Sequence, residues 1–375
     1  MKIGLITTID TNIGDDFIRE GIYHVLKEVF KGERLEFVCI NKHNPYTVYP
    51  AWHPVHLRNV ADHLPVGKHH VINVIESLLP KIGSSCFDDC DLIVQCGAPV
   101  FWPNCSRNEW AKPIWQDVIG RLCGKIPVLN LAAGSCYPWE RQPAVIEQTG
   151  DAEYIKTILG YCRLTTVRDR FAKSICKSLD WEIPLIPCSA FLAARGRIAK
   201  IQESGYILLN YMTGSGHYAW DQEIDAKKWE ETIKAIISRL GKRHKLAFLC
   251  HNEMEFAIAQ ELAPDLPRFF PKTVYDYFKC IAEAKFGINN RMHASVGMAG
   301  MGVPSVAVCT DTRLLMVAEL GLPVHYVKDI DADILEEEAE IALNSLKTEK
   351  ERLLVLQSKT WEMYLSAVRK ALSRS

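Results

Sequence analysis

The sequence predicts an α/β protein of two Rossmann-like domains facing a cleft, with a long helix at the C-terminus. Three observations carry this. The chain has 375 residues, 48% of them hydrophobic, which is apolar side chain enough for two cores. Short apolar runs ending on turn-rich loops alternate with segments of helical spacing, the pattern of a parallel sheet with crossover helices. The alternation breaks in a polar stretch from Arg195 to Ser204 and then begins again. The expected division is residues 1–195, residues 196–345, and a terminal helix over 346–375 that is free to pack back on the first domain.

In the first half, Lys2 to Thr7 is a short apolar run with β-branched residues, a first strand. The turn Asp10-Thr11-Asn12-Ile13-Gly14-Asp15-Asp16 ends in helix-capping types. Phe17, Ile18, Gly21, Ile22, Val25, Leu26 and Val29 then recur at helical spacing. Leu35 to Ile40 is a second strand. Residues 42–70, with four prolines and six histidines, read as an irregular solvated stretch. Asp91 to Gly97 and Ile126 to Gly134 are buried strands, each ending on a glycine.

In the second half, Gly205 to Tyr211 is a strand followed by the loop Thr213-Gly214-Ser215-Gly216-His217. Trp229, Ile233, Ile236, Ile237 and Leu240 share one helix face, closed by Gly241 as a C-terminal cap. Strands at Lys245 to Leu249, Phe286 to Asn289 and Ser305 to Val308 continue the series. Between the last two, Ala294 to Met301 is a helix of small residues capped by Gly302. From Thr348 onward, Leu353, Leu356, Trp361, Tyr364, Leu365 and Val368 mark the terminal amphipathic helix.

Composition narrows the partners. Lys and Arg number 44 against 45 Asp and Glu, a net charge of −1. Divided at residue 190, neither half carries a basic surplus, so nucleic-acid binding through bulk charge is not expected. An anionic ligand must be held by local groups. The 13 cysteines contain no C-x-x-C pair, and Cys86, Cys90, Cys96 and Cys105 match no common metal spacing. Reduced thiols in a cytoplasm are the expected state. His43, His53, His56, His63, His69 and His70 are half of the chain's 12 histidines. No pair among them has the spacing of a catalytic zinc site, and no metal is expected there. The apolar stretch at the N-terminus is too short for a signal-peptide core, and no run is long enough to span a bilayer. Peripheral membrane contact and oligomeric state stay open.

The most informative segment is Lys285 to Thr310. Asn290-Arg291-Met292-His293 forms the turn after a strand and the start of a helix. Ligands of open α/β sheets bind beyond the carboxyl ends of strands, and helix N-termini favour anions. Arg291 offers a guanidinium fork for a carboxylate or phosphate; His293 suits proton transfer near neutral pH. Both could equally cap local carbonyls. Asn12, Gly14 and Asp15 sit at the other half's first helix and could face the same cleft, with Asp15 either accepting a proton or capping the helix. Gly214, Ser215, Gly216 and His217 form either a phosphate cradle or a plain turn. His251, after the strand ending at Leu249, is a further cleft residue or part of a helix cap. Tyr218, Trp220, Trp102, Tyr137 and Trp139 lie in predicted loops, where aromatics stack on sugar rings or pack between helix and loop.

Arg291-Met292-His293-Ala294, followed by Gly302-Val303-Pro304-Ser305-Val306-Ala307-Val308, resembles the C-terminal signature of the polysaccharide pyruvyl transferase family. Asn12-Ile13-Gly14-Asp15-Asp16 is similar to its N-terminal Asn-x-Gly-Asp turn. Thr166-Val167-Arg168-Asp169, with Ser174 and Leu179, resembles its mid-chain segment. One departure is local: where many relatives have Pro-Asp, this chain has Pro187-Cys188-Ser189-Ala190. The resemblance implies a GT-B-like fold, phosphoenolpyruvate as co-substrate with no separate cofactor, and a sugar or lipid-linked glycan acceptor. The implied product is a pyruvate ketal of a cell-surface polysaccharide. Arg291 and Arg168 would then clamp the donor, and His293 would be the general acid, an imidazolium whose pKa bound anions raise. Two alternatives remain: a GT-B-type glycosyltransferase or epimerase using a nucleotide sugar, and a non-catalytic glycan-binding descendant.

Overall fold

The computed structural model describes residues 1–9, 12–63, 67–78, 83–108, 111–146, 148–197, 199, 205–216, 218 and 220–373. Among them, eleven strands form two parallel sheets. The first holds β1 (Lys2–Thr7), β2 (Glu36–Asn41), β3 (Leu92–Phe101), β4 (Val128–Ser135) and β5 (Leu164–Val167) in the order β2-β1-β3-β4-β5. The second holds β6 (Tyr206–Asn210), β7 (Leu246–Leu249), β8 (Arg268–Phe269), β9 (Ala284–Asn289), β10 (Ser305–Cys309) and β11 (Val324–Tyr326) in the order β11-β10-β9-β6-β7-β8.

Those two orders decide where a ligand can sit. In each sheet the chain winds first one way and then the other, and the crevice opens where the direction reverses. In the first sheet that point lies between β1 and β3; in the second it lies between β6 and β9. The loops leaving β1 and β9 lead straight into the helices Ile13–Val29 and Met292–Gly300. The two switch points therefore present the starts of these two helices to one another.

One apolar core joins the halves. Ile3, Phe17 and Leu131 of the first half, Tyr277, Phe278, Val296 and Met298 of the second, and Leu353 and Tyr364 of the terminal helix belong to it. Phe17 lies 4.9 Å from the Tyr277 ring and 5.2 Å from Phe278. The helix Met292–Gly300 approaches this closely because its residues are small: a Cβ on Gly300 would lie 2.7 Å from the Phe191 carbonyl oxygen. The terminal helix, Leu346–Leu372, lies across both halves. Gln357 donates to the carbonyls of Phe191 (2.9 Å) and Gly300 (2.6 Å), and Tyr364 donates to that of Pro187 (3.1 Å).

The expectation for one stretch changes. The stretch 42–70 contains the helix Leu57–Ala61 and leads into Lys68–Leu78, and His53 is 1% exposed instead of solvated. Its Nδ1 accepts from the Val55 N–H at 3.1 Å while its ring stacks 4.5 Å from Tyr49. Gly241 caps its helix as expected, with right-handed angles (φ −63°, ψ −19°); what favours glycine there is room, since a Cβ would lie 2.6 Å from the Ile237 carbonyl oxygen. Gly302, at φ +78°, does use the left-handed conformation. The short strands β5, β8 and β11 carry too few residues for their periodicity to stand out in the sequence.

Candidate active site

The second half supplies one wall. Asn210 and Asn289, paired in register, end β6 and β9 side by side. The Asn210 Oδ1 accepts from the Arg291 N–H at 2.8 Å, and the Asn290 Oδ1 accepts from the Met212 N–H at 2.8 Å. These amides replace the missing ladder partners at the strand ends and fix the turn that launches the helix. Arg291 is the residue before that helix, and its Nε and Nη2 lie 2.8 and 2.7 Å from Glu255 Oε1. Glu255 is 4% exposed, and its other oxygen accepts from Asn210 Nδ2 (3.0 Å) and the His251 N–H (2.8 Å). The fork of Arg291 is thus largely occupied by the protein, and the residue lines the cleft.

The first half supplies the facing wall. Asn12 caps the helix Ile13–Val29, its Oδ1 accepting from the Gly14 N–H at 2.9 Å. The capping alternative for Asp15 is therefore taken by Asn12. Arg168, 1% exposed, follows β5 and lies over Gly134, where any side chain would collide with the guanidinium. Asp169 fixes this position: it caps the next helix by accepting from Ala172 N–H (2.7 Å) and is bonded to Ser135 through its N–H (2.9 Å) and hydroxyl (2.8 Å).

The walls meet at named atoms. A Cβ on Gly14 would lie 2.8 Å from the His293 Cβ and 2.9 Å from its Nδ1, so only glycine admits the imidazole here. Arg168 Nη1 lies 3.5 Å from His293 Nε2 and 3.8 Å from the Cys188 sulfur. No carboxylate is paired with Arg168 among the described residues, and its Nε is buried without a partner. His251 bridges the halves, with Nδ1 3.2 Å from Asn12 Oδ1 and Nε2 2.7 Å from the Tyr277 hydroxyl. Between the walls lies a cavity of about 30 Å³ lined by Asn12, His251, Arg291, His293 and Arg313.

Electrostatics follow from enclosure. Burial pushes the Asp15 carboxyl above its ordinary value, against the pull of Lys42, Arg168, His43 and Arg313. Burial also pushes His293 well below the usual histidine value, and Arg168, Arg313, His251 and Arg291 add to the effect. The protein's own groups thus hold His293 neutral, and an imidazolium needs the charge of a bound anion beside it. His251 is pushed down to about 4, mainly by burial, with Glu255 opposing. A neutral imidazole thus stands in the field of three guanidinium groups, two of which, Arg168 and Arg313, also act on the Asp15 carboxyl.

A family model for polysaccharide pyruvyl transferase matches residues 12–311, a span that includes both walls. The chain belongs to the polysaccharide pyruvyl transferase family. It is accordingly a transferase. Solved structures share its GT-B-like fold. UDP-GlcNAc 2-epimerase from Neisseria meningitidis, solved with UDP-GlcNAc, is 12% identical over 100% of both chains with a TM-score of 0.54. The Methanocaldococcus jannaschii enzyme of the same name is 14% identical, over 92% of this chain and 93% of its own, with a TM-score of 0.51. At these identities the likeness is one of fold. No curated protein sequence matches the chain.

Of the residues that the sequence singled out, the fold brings Asn12, Gly14, Asp15, Arg168, His251, Arg291 and His293 to this one cleft. It does not bring the Gly214–Gly216 loop into it. Ser215 is fully buried, its hydroxyl donating to Val308 carbonyl (2.9 Å) and accepting from Asn290 Nδ2 (2.9 Å), and Gly216 packs against Thr310. The Ser215 hydroxyl therefore holds the turn and is not available to a phosphate. His217 lies outside the described residues. Sequence reasoning missed Arg313, Glu255 and Lys42. Arg313 follows the end of β10, held by Asp311 at 2.8 and 2.6 Å, and its place after a strand was the available signal. Among the described residues no three His, Cys, Asp or Glu side chains stand together as metal ligands, and none of the 13 cysteines is in a disulfide. No described helix is long and apolar enough to cross a membrane.

Proposed function

We propose that this transferase moves the enolpyruvyl group of phosphoenolpyruvate onto two hydroxyls of a sugar, forming a pyruvate ketal in polysaccharide synthesis. The observation that carries this is Arg168: a buried guanidinium in no salt bridge among the described residues, 3.5 Å from His293. A buried cation left unpaired is unfavourable by several kcal/mol, and a bound anion removes that cost. A donor bearing a carboxylate and a phosphate suits Arg168 together with Arg291 and Arg313. Its negative charge raises the pKa of His293, so the ring gains its proton when the donor arrives.

His293 then delivers that proton to the donor methylene carbon, and C2 becomes cationic. A sugar hydroxyl bonds to C2 and gives its proton to Asp15, whose raised pKa suits it to hold one. The C2–O bond to phosphorus breaks, phosphate leaving with the electron pair. A second hydroxyl bonds to C2 and gives its proton to His293, left neutral by the first step, and the ketal closes. The test is thermal unfolding with added ligand. Phosphoenolpyruvate at 100 times its Kd stabilises the wild type by about 2.7 kcal/mol, a rise in Tm that Arg168→Met abolishes. Stabilisation by UDP-sugars and none by phosphoenolpyruvate would overturn the proposal.

A further inference from the structure

Next to the cleft lies a second and larger cavity, of about 570 Å³. That is within the roughly 300–1,000 Å³ of small-molecule sites. Residues between 103 and 151 of the first half form one side, and Trp220 and Asp221 of the second half form the other. A continuous wall joins it to the cleft. Tyr137 and Thr312 exchange two hydrogen bonds of 2.9 Å, one from each backbone N–H. Arg313, the next residue, lines the cleft, and its guanidinium lies 5.2 Å from the Tyr218 ring. That ring stands 5.1 Å from Trp220.

The chemistry of the lining is specific. Asp151 is 2% exposed, and its Oδ1 accepts from the Ser106 N–H (2.9 Å) and hydroxyl (2.5 Å). Asp151 and the buried Tyr137 both line the cavity and bring it a carboxylate and a phenol. Asn104 and Gln148 add amides. Asn104, Trp220 and Asp221 hold φ values of +61°, +54° and +53°. This left-handed region is a genuine outlier for a bulky side chain, so the surrounding structure holds the wall in a conformation of its own. Hydroxyl acceptors and donors beside aromatic faces complement a polyhydroxyl ring with apolar C–H faces. Phosphates and nucleotides fit poorly: Asp151 and Asp221 repel them, and the guanidinium of Arg141 is turned to the Trp220 carbonyl.

We propose that this cavity is the subsite for a neutral sugar unit of the acceptor glycan, beside the cleft that takes the donor. The proposal rests on the pyruvyl-transfer reading and extends it to the second substrate. Saturation-transfer NMR tests it with the methyl glycosides of glucose, galactose, mannose and their N-acetylamino counterparts as probes. At least one probe takes up saturation from the wild type. That signal falls at least fivefold in Asp151→Asn and in Gln148→Trp, the second filling the cavity from an exposed position so that folding is undisturbed. Stabilisation by phosphoenolpyruvate is the same in Gln148→Trp as in the wild type. No saturation of any probe, or a signal that both variants leave intact, overturns the subsite whatever phosphoenolpyruvate does. Saturation lost in the variants while phosphoenolpyruvate fails to bind keeps the sugar subsite and rejects the donor.

Discussion

Two guanidinium groups of the cleft are held in opposite ways. Arg291 is neutralised by Glu255 in direct contact, whereas Arg168 touches a thiol and an imidazole and meets the Asp15 and Asp169 carboxyls only through space. Cys188, 3.8 Å from Arg168 Nη1, offers a thiol there and no carboxylate. Beside these cations, two histidines must stay neutral, which makes stability depend on pH. His251 is 6% exposed, with its pKa pushed down to about 4. Between that value and the ordinary 6.5, the unfolded chain binds a proton that the folded chain refuses. Stability is therefore complete above about pH 6.5 and falls as pH drops toward 4. His251 alone accounts for about 3 kcal/mol of the loss, and His293 acts in the same direction. Urea midpoints at pH 7.5, 6 and 5 should decline, with a shallower decline in His251→Gln; a flat profile, or one unchanged in the variant, contradicts this. The sequence showed His293 and Arg291 because strand, turn and helix N-terminus are local. It hid Arg291's engagement and the neutrality of His293, since Glu255 and Arg168 approach from 36 residues upstream and from the other half.

At the level of elements, the terminal helix ties the site's scaffold together. Gln357 is 7% exposed and donates to two carbonyls, one on each side of the junction: Phe191 before it and Gly300 at the end of the helix that carries His293. Gln357→Leu keeps the volume but leaves both oxygens buried without donors, at a cost of roughly 2–4 kcal/mol. Chemical denaturation should show that loss, with the secondary structure retained below the transition; a change under 0.5 kcal/mol would show that water replaces the amide. Most elements were legible from periodicity: β1 and the helix that follows it match the sequence closely, as does the helix over Ala226–Leu240. The 42–70 segment was not, because its helices are short and begin near prolines. Nor was the role of Gln357, a polar residue on an otherwise apolar face whose partners lie 166 and 57 residues away.

For the whole molecule, neutrality in sum conceals a cleft with three guanidinium groups, Arg168, Arg291 and Arg313, drawn from both halves. The halves are coupled there as well as through their shared core. Ser135 and Thr312 hydroxyls lie 2.9 Å apart, and Arg170 pairs with Glu319 at 2.8 Å. Yet the cavity between the walls, about 30 Å³, has room for only a few waters. A phosphorylated three-carbon acid is many times larger, so it enters only when the walls part. The contacts that must yield are those between the helix starts, Asn12 to His251 and Gly14 to His293, because the apolar core behind them is continuous. Parting therefore loosens both helix starts together while the interiors of the same helices stay packed. Amide hydrogen exchange checks this: residues 12–16 and 291–295 should exchange faster than 18–26 and 296–300. Saturating phosphoenolpyruvate should slow both helix starts together, since the donor needs groups from each wall. Protection confined to one wall would mean that the donor is held by one half alone, and that closure of the cleft is not part of its binding.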